Sequence, residues 1–217
     1  MLPAAWLLAC LAQTPSGMAP AAAGTLEGRP AAGQISPLQA AVDAATPGAV
    51  IDVPPGTYQG DLVIDRPLRL VGRGRPRLVG SGAGSVVRVR ADDVTIEGFD
   101  IDGRLGGDLA RDSAGIHIAA RRATVRDCVI ERALFGVYLR EADGTVDERT
   151  RITGVPGKAP GEQGSGIHVW NTTGFRLDRN SVRDSRDGFY LQTASQGRVT
   201  GNTVSEVRYG LHYMYSD

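Results

Sequence analysis

The chain has 217 residues, a length suited to one domain with a sizeable core, and its 29 glycines exceed the usual share of about 7%, implying many tight corners. Lys plus Arg and Asp plus Glu each total 24, which removes the electrostatic case for a nucleic-acid partner but leaves room for a local docking patch of either sign.

Met1 to Ala12 is apolar but too short to span a bilayer. The small residues that follow offer an Ala21-x-Ala23 cleavage point, so residues 1–23 read as an export signal. The segment lacks the usual Lys or Arg near its start, which leaves open an upstream start or an uncleaved anchor, and Leu7-Leu8-Ala9-Cys10 resembles a lipoprotein box. With Cys10 removed, Cys128 is alone and no intrachain disulfide frames the fold. Residues 24–34 read as a linker, and residues 35–217 as one repeat domain.

Ser36-Pro37 opens a short helix, with Ser36 as N-cap, Pro37 at the first helical position and Leu38, Ala41, Val42 and Ala45 on one face. Pro47-Gly48 stops it, and such a helix would cover the open end of a solenoid. Short apolar or alternating runs follow at Ala49 to Val53, Leu62 to Ile64, Leu68 to Val71, Val86 to Val89 and Val94 to Ile101, separated by Pro- and Gly-rich punctuation.

From Gly115 one phrase recurs: Gly115-Ile116-His117-Ile118, Gly136-Val137-Tyr138-Leu139, Gly166-Ile167-His168-Val169, Gly188-Phe189-Tyr190-Leu191 and Gly210-Leu211-His212-Tyr213. The steps between these glycines are 21, 30, 22 and 22 residues, the period of a parallel β-solenoid whose turns, or coils, bury their apolar faces only by stacking. Strand alternation turns Ile116/Ile118, Val137/Leu139, Ile167/Val169, Phe189/Leu191 and Leu211/Tyr213 inward. His117, Tyr138, His168, Tyr190 and His212 then form an outward column at strand spacing. In a second register, Cys128, Asn180 and Asn202 each stand eight residues before a phrase glycine, an internal ladder at a coil corner.

Two stretches break the period, Gly103 to Ala114 and Gly154 to Ser165, and both end at a phrase glycine. They should emerge from one edge beside His117 and His168, as binding loops of a repeat protein often do, or as plain surface loops. The sequence stops at Asp217 with no polar segment to cover the last coil, so the β-helix is expected to be truncated at its C-terminal end.

For metal chemistry the candidates are His212, Met214, His168 and His117. The three histidines lie on alternate coils, roughly 10 Å apart, too far for neighbours to share one ion readily. His212 and Met214 are two apart on one strand, roughly 6.8 Å, and imidazole with thioether suits copper, Cu(I) above all. The plainer alternative is an aromatic surface ladder. As a catalytic pair only Asp92-Asp93 presents itself, at a turn, while Asp184 and Asp187 with Arg183 and Arg186 read as a solvated corner. Asn171-Thr172-Thr173 fits a glycosylation sequon.

The segment Arg208-Tyr209-Gly210-Leu211-His212-Tyr213-Met214-Tyr215-Ser216-Asp217, with Arg186-Asp187-Gly188-Phe189-Tyr190 and Asn171-Thr172-Thr173-Gly174 upstream, closely resembles the NosD family of periplasmic maturation proteins for nitrous oxide reductase. The similarity runs from about Ile35 to Asp217 and includes Val63-Ile64-Asp65-Arg66-Pro67-Leu68. It implies an all-β fold, a right-handed parallel β-helix with a short N-terminal capping helix, of the carbohydrate-binding and sugar-hydrolase repeat class. It implies no enzyme but an assembly factor for a copper–sulfur centre. The partners would be nitrous oxide reductase, an ABC transporter's ATPase and membrane subunits, through which the membrane is contacted, and a copper chaperone. Copper would bind transiently, with no tightly held cofactor. His212 and Met214 match the family motif, whereas His117 and His168 replace other polar residues. The alternative from another class is a secreted β-helical polysaccharide lyase, hydrolase or epimerase, or a glycan-binding protein.

Overall fold

The computed structural model describes residues 36–217, so the expected export signal, Cys10 and the linker lie outside the described residues. Apart from one helix and two short 3-10 turns, the described residues form a parallel β-helix. One face is a seven-stranded parallel sheet. The twelve-stranded remainder wraps the other two sides, and its two arms become continuous in the long strands Ser181–Gln192 and Thr203–Met214. The sequence reading missed strands Thr57–Gln59 and Arg77–Val79, and the run Val94 to Ile101 is two strands, Thr95–Glu97 and Asp100–Asp102, parted by a corner at Gly98.

The helix spans Pro37–Ala44, with the Ser36 hydroxyl accepting from the Gln39 amide at 3.1 Å. Leu38 and Val42 are buried, but Ala41, expected on the same face, is exposed. Eight residues give barely two turns, and the buried stripe narrows to a single i, i+4 pair. Gln39 does the rest of the capping. Its side-chain amide donates to the Val63 carbonyl at 2.9 Å and accepts from the Val63 N–H at 2.7 Å, satisfying backbone groups on an otherwise free strand edge.

Inside, Ile116, Ile118, Val137, Leu139, Ile167, Val169, Phe189 and Leu191 are all buried, as alternation requires. Leu211 and Tyr213 hold the same register, opposite Phe189 and Leu191, yet are 49% and 65% exposed. The phrase glycines are explained by space. A Cβ at Gly115, Gly136, Gly166 or Gly188 would strike Ile130, Ile152, Val182 or Val204, the inward side chains of the adjoining arm.

The corner ladder is present. Asn202 Oδ1 accepts from the Asn180 N–H at 2.7 Å, and Asn180 Oδ1 accepts from the Thr150 N–H at 2.8 Å. Their amides donate onward to the carbonyls of Leu177 and Asp147, both at 2.9 Å. Thr150 and Cys128 continue the ladder, and burial pushes the Cys128 thiol up to about 12, so it behaves as a small apolar residue. Each ladder residue follows a left-handed corner, at Asp127, Arg149, Arg179 and Gly201.

One inward position breaks the apolar pattern. In the stack Ile96, Val125, Asp147, Leu177 and Val199, Asp147 is fully buried. Thr150 donates to one carboxyl oxygen at 2.5 Å, the other has no partner among the described residues, and burial pushes the group up to about 7. No helix among the described residues is long and apolar enough to cross a membrane.

Candidate functional site

The outward column exists as a stack of rings. Centroid distances run 5.2 Å for His117–Tyr138, 4.5 Å for Tyr138–His168, 4.7 Å for His168–Tyr190 and 4.6 Å for Tyr190–His212. Strand pairing in register sets this spacing, because each ring sits directly over its neighbour in the next coil. A second column beside it carries Arg140, Trp170, Gln192 and Met214, with the Arg140 guanidinium 5.1 Å from the Trp170 ring.

The column is less open than alternation alone implies, because the two insertions fold over it. Ala114, Leu134, Phe135, Tyr138 and Val155 form a small outer core separate from the lumen, with Leu109 and Trp170 packed against it. Each insertion carries a 3-10 turn, Leu109–Arg111 and Pro160–Glu162. The first is rooted at Asp102, a buried carboxylate bonded by Arg77 at 2.7 Å, by Arg132, and by the Arg104 N–H at 2.8 Å. Leu109 from one insertion and Gln163, Gly164 and Ser165 from the other line a cavity of about 220 Å³ with Phe135, His168 and Tyr190. The two loops therefore meet on one edge, over the central histidine.

Burial sets the histidines' chemistry. His168 lies between Tyr138 and Tyr190, with Phe135 edge-on at 5.4 Å and neither ring nitrogen bonded to a described residue. Desolvation pulls it down to about 4, so it is neutral at physiological pH. His117 is also pulled down by burial, against the opposing charge of Asp112. Neither histidine joins a ligand cluster. Among the described residues no group of three or more His, Cys, Asp or Glu is disposed to hold a metal.

At His212 the surroundings change. Its ring stands edge-on to Tyr190, at 79°, where the His117–Tyr138 and Tyr138–His168 pairs are close to parallel at 18° and 9°. His212 Nδ1 lies 3.4 Å from Asp187 Oδ2 and 3.4 Å from an Arg208 nitrogen. Arg208 in turn grips the Asp187 carboxylate with two donors, at 3.0 and 2.9 Å. Met214 follows on the same strand face, its sulfur accepting from the Tyr190 hydroxyl at 2.9 Å. His212, Met214 and Tyr190 thus form one polar, sulfur-containing edge of the column.

Asp187 corrects the sequence reading. It is not part of a solvated corner: its side chain is 1% exposed, and Asp184, paired with Arg183, is itself partly buried. The usable signal was its place directly before Gly188, the position that Phe135 fills before Gly136. The Asp92-Asp93 pair is also accounted for. Arg122 holds both carboxylates at a corner, at 3.3 and 2.7 Å, as one ion-paired cluster. Thr172 of the sequon is buried, its hydroxyl donating to the Trp170 carbonyl at 2.9 Å. A cleft of about 690 Å³ runs along another corner, but Arg75, Arg77 and Arg149 there are paired with Asp100, Asp102 and Asp127 and fasten coil to coil.

Residues 142–217 match the family model NosD, described as a periplasmic copper-binding protein. The chain is 34% identical over 141 residues to a "Probable ABC transporter binding protein NosD" of Stutzerimonas stutzeri, a match covering 63% of this chain and 31% of that one. It is 33% identical over 135 residues to a protein of the same name from Pseudomonas aeruginosa, covering 61% of this chain and again 31% of the relative. The chain therefore spans about a third of the length of the relatives it matches. Among solved structures it is similar to an alginate lyase from Paenibacillus sp. strain FPU-7, with TM-score 0.59 and 18% identity over 78% of this chain and 72% of that one. At that identity the likeness shows the β-helical fold alone. The resemblance to NosD proteins carried by the sequence is thus borne out.

Proposed function

We propose that this chain is a periplasmic accessory protein that handles copper beside an ABC-type transporter, and that its client is the copper–sulfur centre of nitrous oxide reductase. The observation that carries the reading is the NosD match over residues 142–217, the stretch that holds His168, Tyr190, His212 and Met214. Copper is cargo here. His212 and Met214 offer imidazole and thioether, a soft pair suited to Cu(I), and two ligands leave coordination positions for a donor or acceptor protein to complete. His117 and His168 form the wall of the same column, stacked on either side of Tyr138. The edge under the two insertions is where the client and a copper chaperone would dock, and the transporter's ATPase and membrane subunits would supply both membrane contact and ATP-driven motion. No step requires this chain to act as an enzyme.

The test is Cu(I) binding under anaerobic competition with a calibrated chelator, using the exported form, with wild type, His212→Ala and Met214→Ala side by side. Wild type is expected to outcompete both variants. Equal competition by all three would mean that copper passes between other proteins and that this chain only docks them.

A further inference from the structure

We infer that Asp187, backed by Arg208, is a positioning residue that fixes His212 as the Nδ1–H tautomer and leaves Nε2 as the free nitrogen; this rests on the copper-handling reading above. The argument begins with which group still needs a partner. The Asp187 carboxylate is nearly completely buried and can accept about four hydrogen bonds, but Arg208 supplies only two. Arg208 is 35% exposed, so its remaining N–H groups reach water. The unmet demand therefore belongs to the carboxylate, and the His212 Nδ1 at 3.4 Å from Oδ2 is the donor available to meet it. The edge-on turn of His212 relative to Tyr190 fits this pull, since the partnerless His168 keeps a near-parallel stack on Tyr138.

The orienter comes from a different coil than the histidine. Asp187 lies on Ser181–Gln192 opposite Tyr209, and His212 lies on Thr203–Met214 opposite Tyr190. The position is thus set by register between coils rather than by a local turn. A metal-binding histidine whose second nitrogen donates to a carboxylate has its ring and tautomer fixed in advance, and losing such a partner typically weakens metal binding by about 10–100-fold.

The test has a readout that needs no metal. Nitrogen-15 correlation spectra of the full chain report which ring nitrogen of His212 carries the proton. Wild type is expected to show the Nδ1–H form. Asp187→Asn removes the carboxylate at constant volume and is expected to shift His212 toward the Nε2–H form that free imidazole side chains prefer. Arg208→Gln keeps the carboxylate and should keep the wild-type tautomer. A wild type already in the Nε2–H form, or a tautomer indifferent to Asp187→Asn, overturns the inference. With Cu(I) alone as probe, Asp187→Asn is expected to bind about 10–100-fold more weakly than wild type. A shifted tautomer with unchanged Cu(I) affinity also overturns it. A wild type that binds no Cu(I) but shows the expected tautomers sinks the copper-handling reading instead, leaving Asp187 as the residue that sets the ring.

Discussion

His168 and His212 occupy the same column two coils apart, yet one is sealed and partnerless while the other is held by an ion pair. The difference lies in two residues at matching positions. Before the glycine of the preceding coil stands Phe135 in one case and Asp187 in the other. Two residues before the histidine's own glycine stands Gly164 in one case and Arg208 in the other. The pairs are coupled physically. A Cβ at Gly164 would run into the Phe135 ring, whereas the small carboxylate of Asp187 leaves room for, and draws in, the Arg208 guanidinium. A repeat architecture can therefore make one slot apolar and the next polar without altering the backbone, provided that both residues change together.

The largest expected effect comes from breaking that coupling. Gly164→Arg alone should cost about 3 kcal/mol through overpacking against Phe135. Phe135→Asp alone should cost about 3–5 kcal/mol, since it removes a packed ring and buries an unpaired carboxylate. The double variant should recover about 1–3 kcal/mol relative to the sum, because the new pair can reproduce the Asp187–Arg208 contact. Urea unfolding of the four proteins measures it. Strict additivity would show that the two positions do not communicate.

A smaller effect separates the sealed histidine from the rest of the chain by pH. His168 falls from an ordinary 6.5 to about 4 on folding, so its contribution is full above pH 6.5 and is lost as pH drops toward 4. Asp147 rises from 3.8 to about 7, so its contribution is full below pH 3.8 and is lost as pH climbs through 7. Between these limits the two slopes oppose each other. His168→Phe should make stability fall more steeply with rising pH than in wild type, and Asp147→Asn should make it rise, each by on the order of 3–4 kcal/mol across the window. Thermal melts from pH 4 to 8 compare them, and identical slopes in all three proteins would remove both assignments.

The coil period, the inward set, the corner asparagines and the meeting of both insertions at one edge were legible because each repeats, and repetition is independent of any single side chain's surroundings. What was not legible was set once. Asp187 sits among Arg183, Asp184 and Arg186, and local charge density made it look solvated, while its real partner, Arg208, stands a full coil later. Asp147 lies in the run Val146-Asp147-Glu148-Arg149, where composition suggests a surface strand. Only the register against Val125 and Leu177 turns it inward. Tyr138 was correctly placed in the outward column, but its burial depends on Phe135 and Val155 arriving from other segments. Period identifies which positions align, not which of them a loop will cover.

The smallest effect bears on the sulfur end of the His212 slot. Tyr190 donates its hydroxyl to Met214, which is 37% exposed, so Tyr190→Phe deletes one half-exposed hydrogen bond and leaves the ring stack in place. Its cost in stability should stay under about 1 kcal/mol. The same change frees sulfur lone pairs from a competing donor, so Cu(I) affinity should rise by up to about fivefold, opposite in sign to Met214→Ala. Anaerobic chelator competition on both variants reads the sign directly. A fall with Tyr190→Phe would place the phenol oxygen on the metal rather than on the sulfur, making the slot a site of three ligands where the His168 slot offers none.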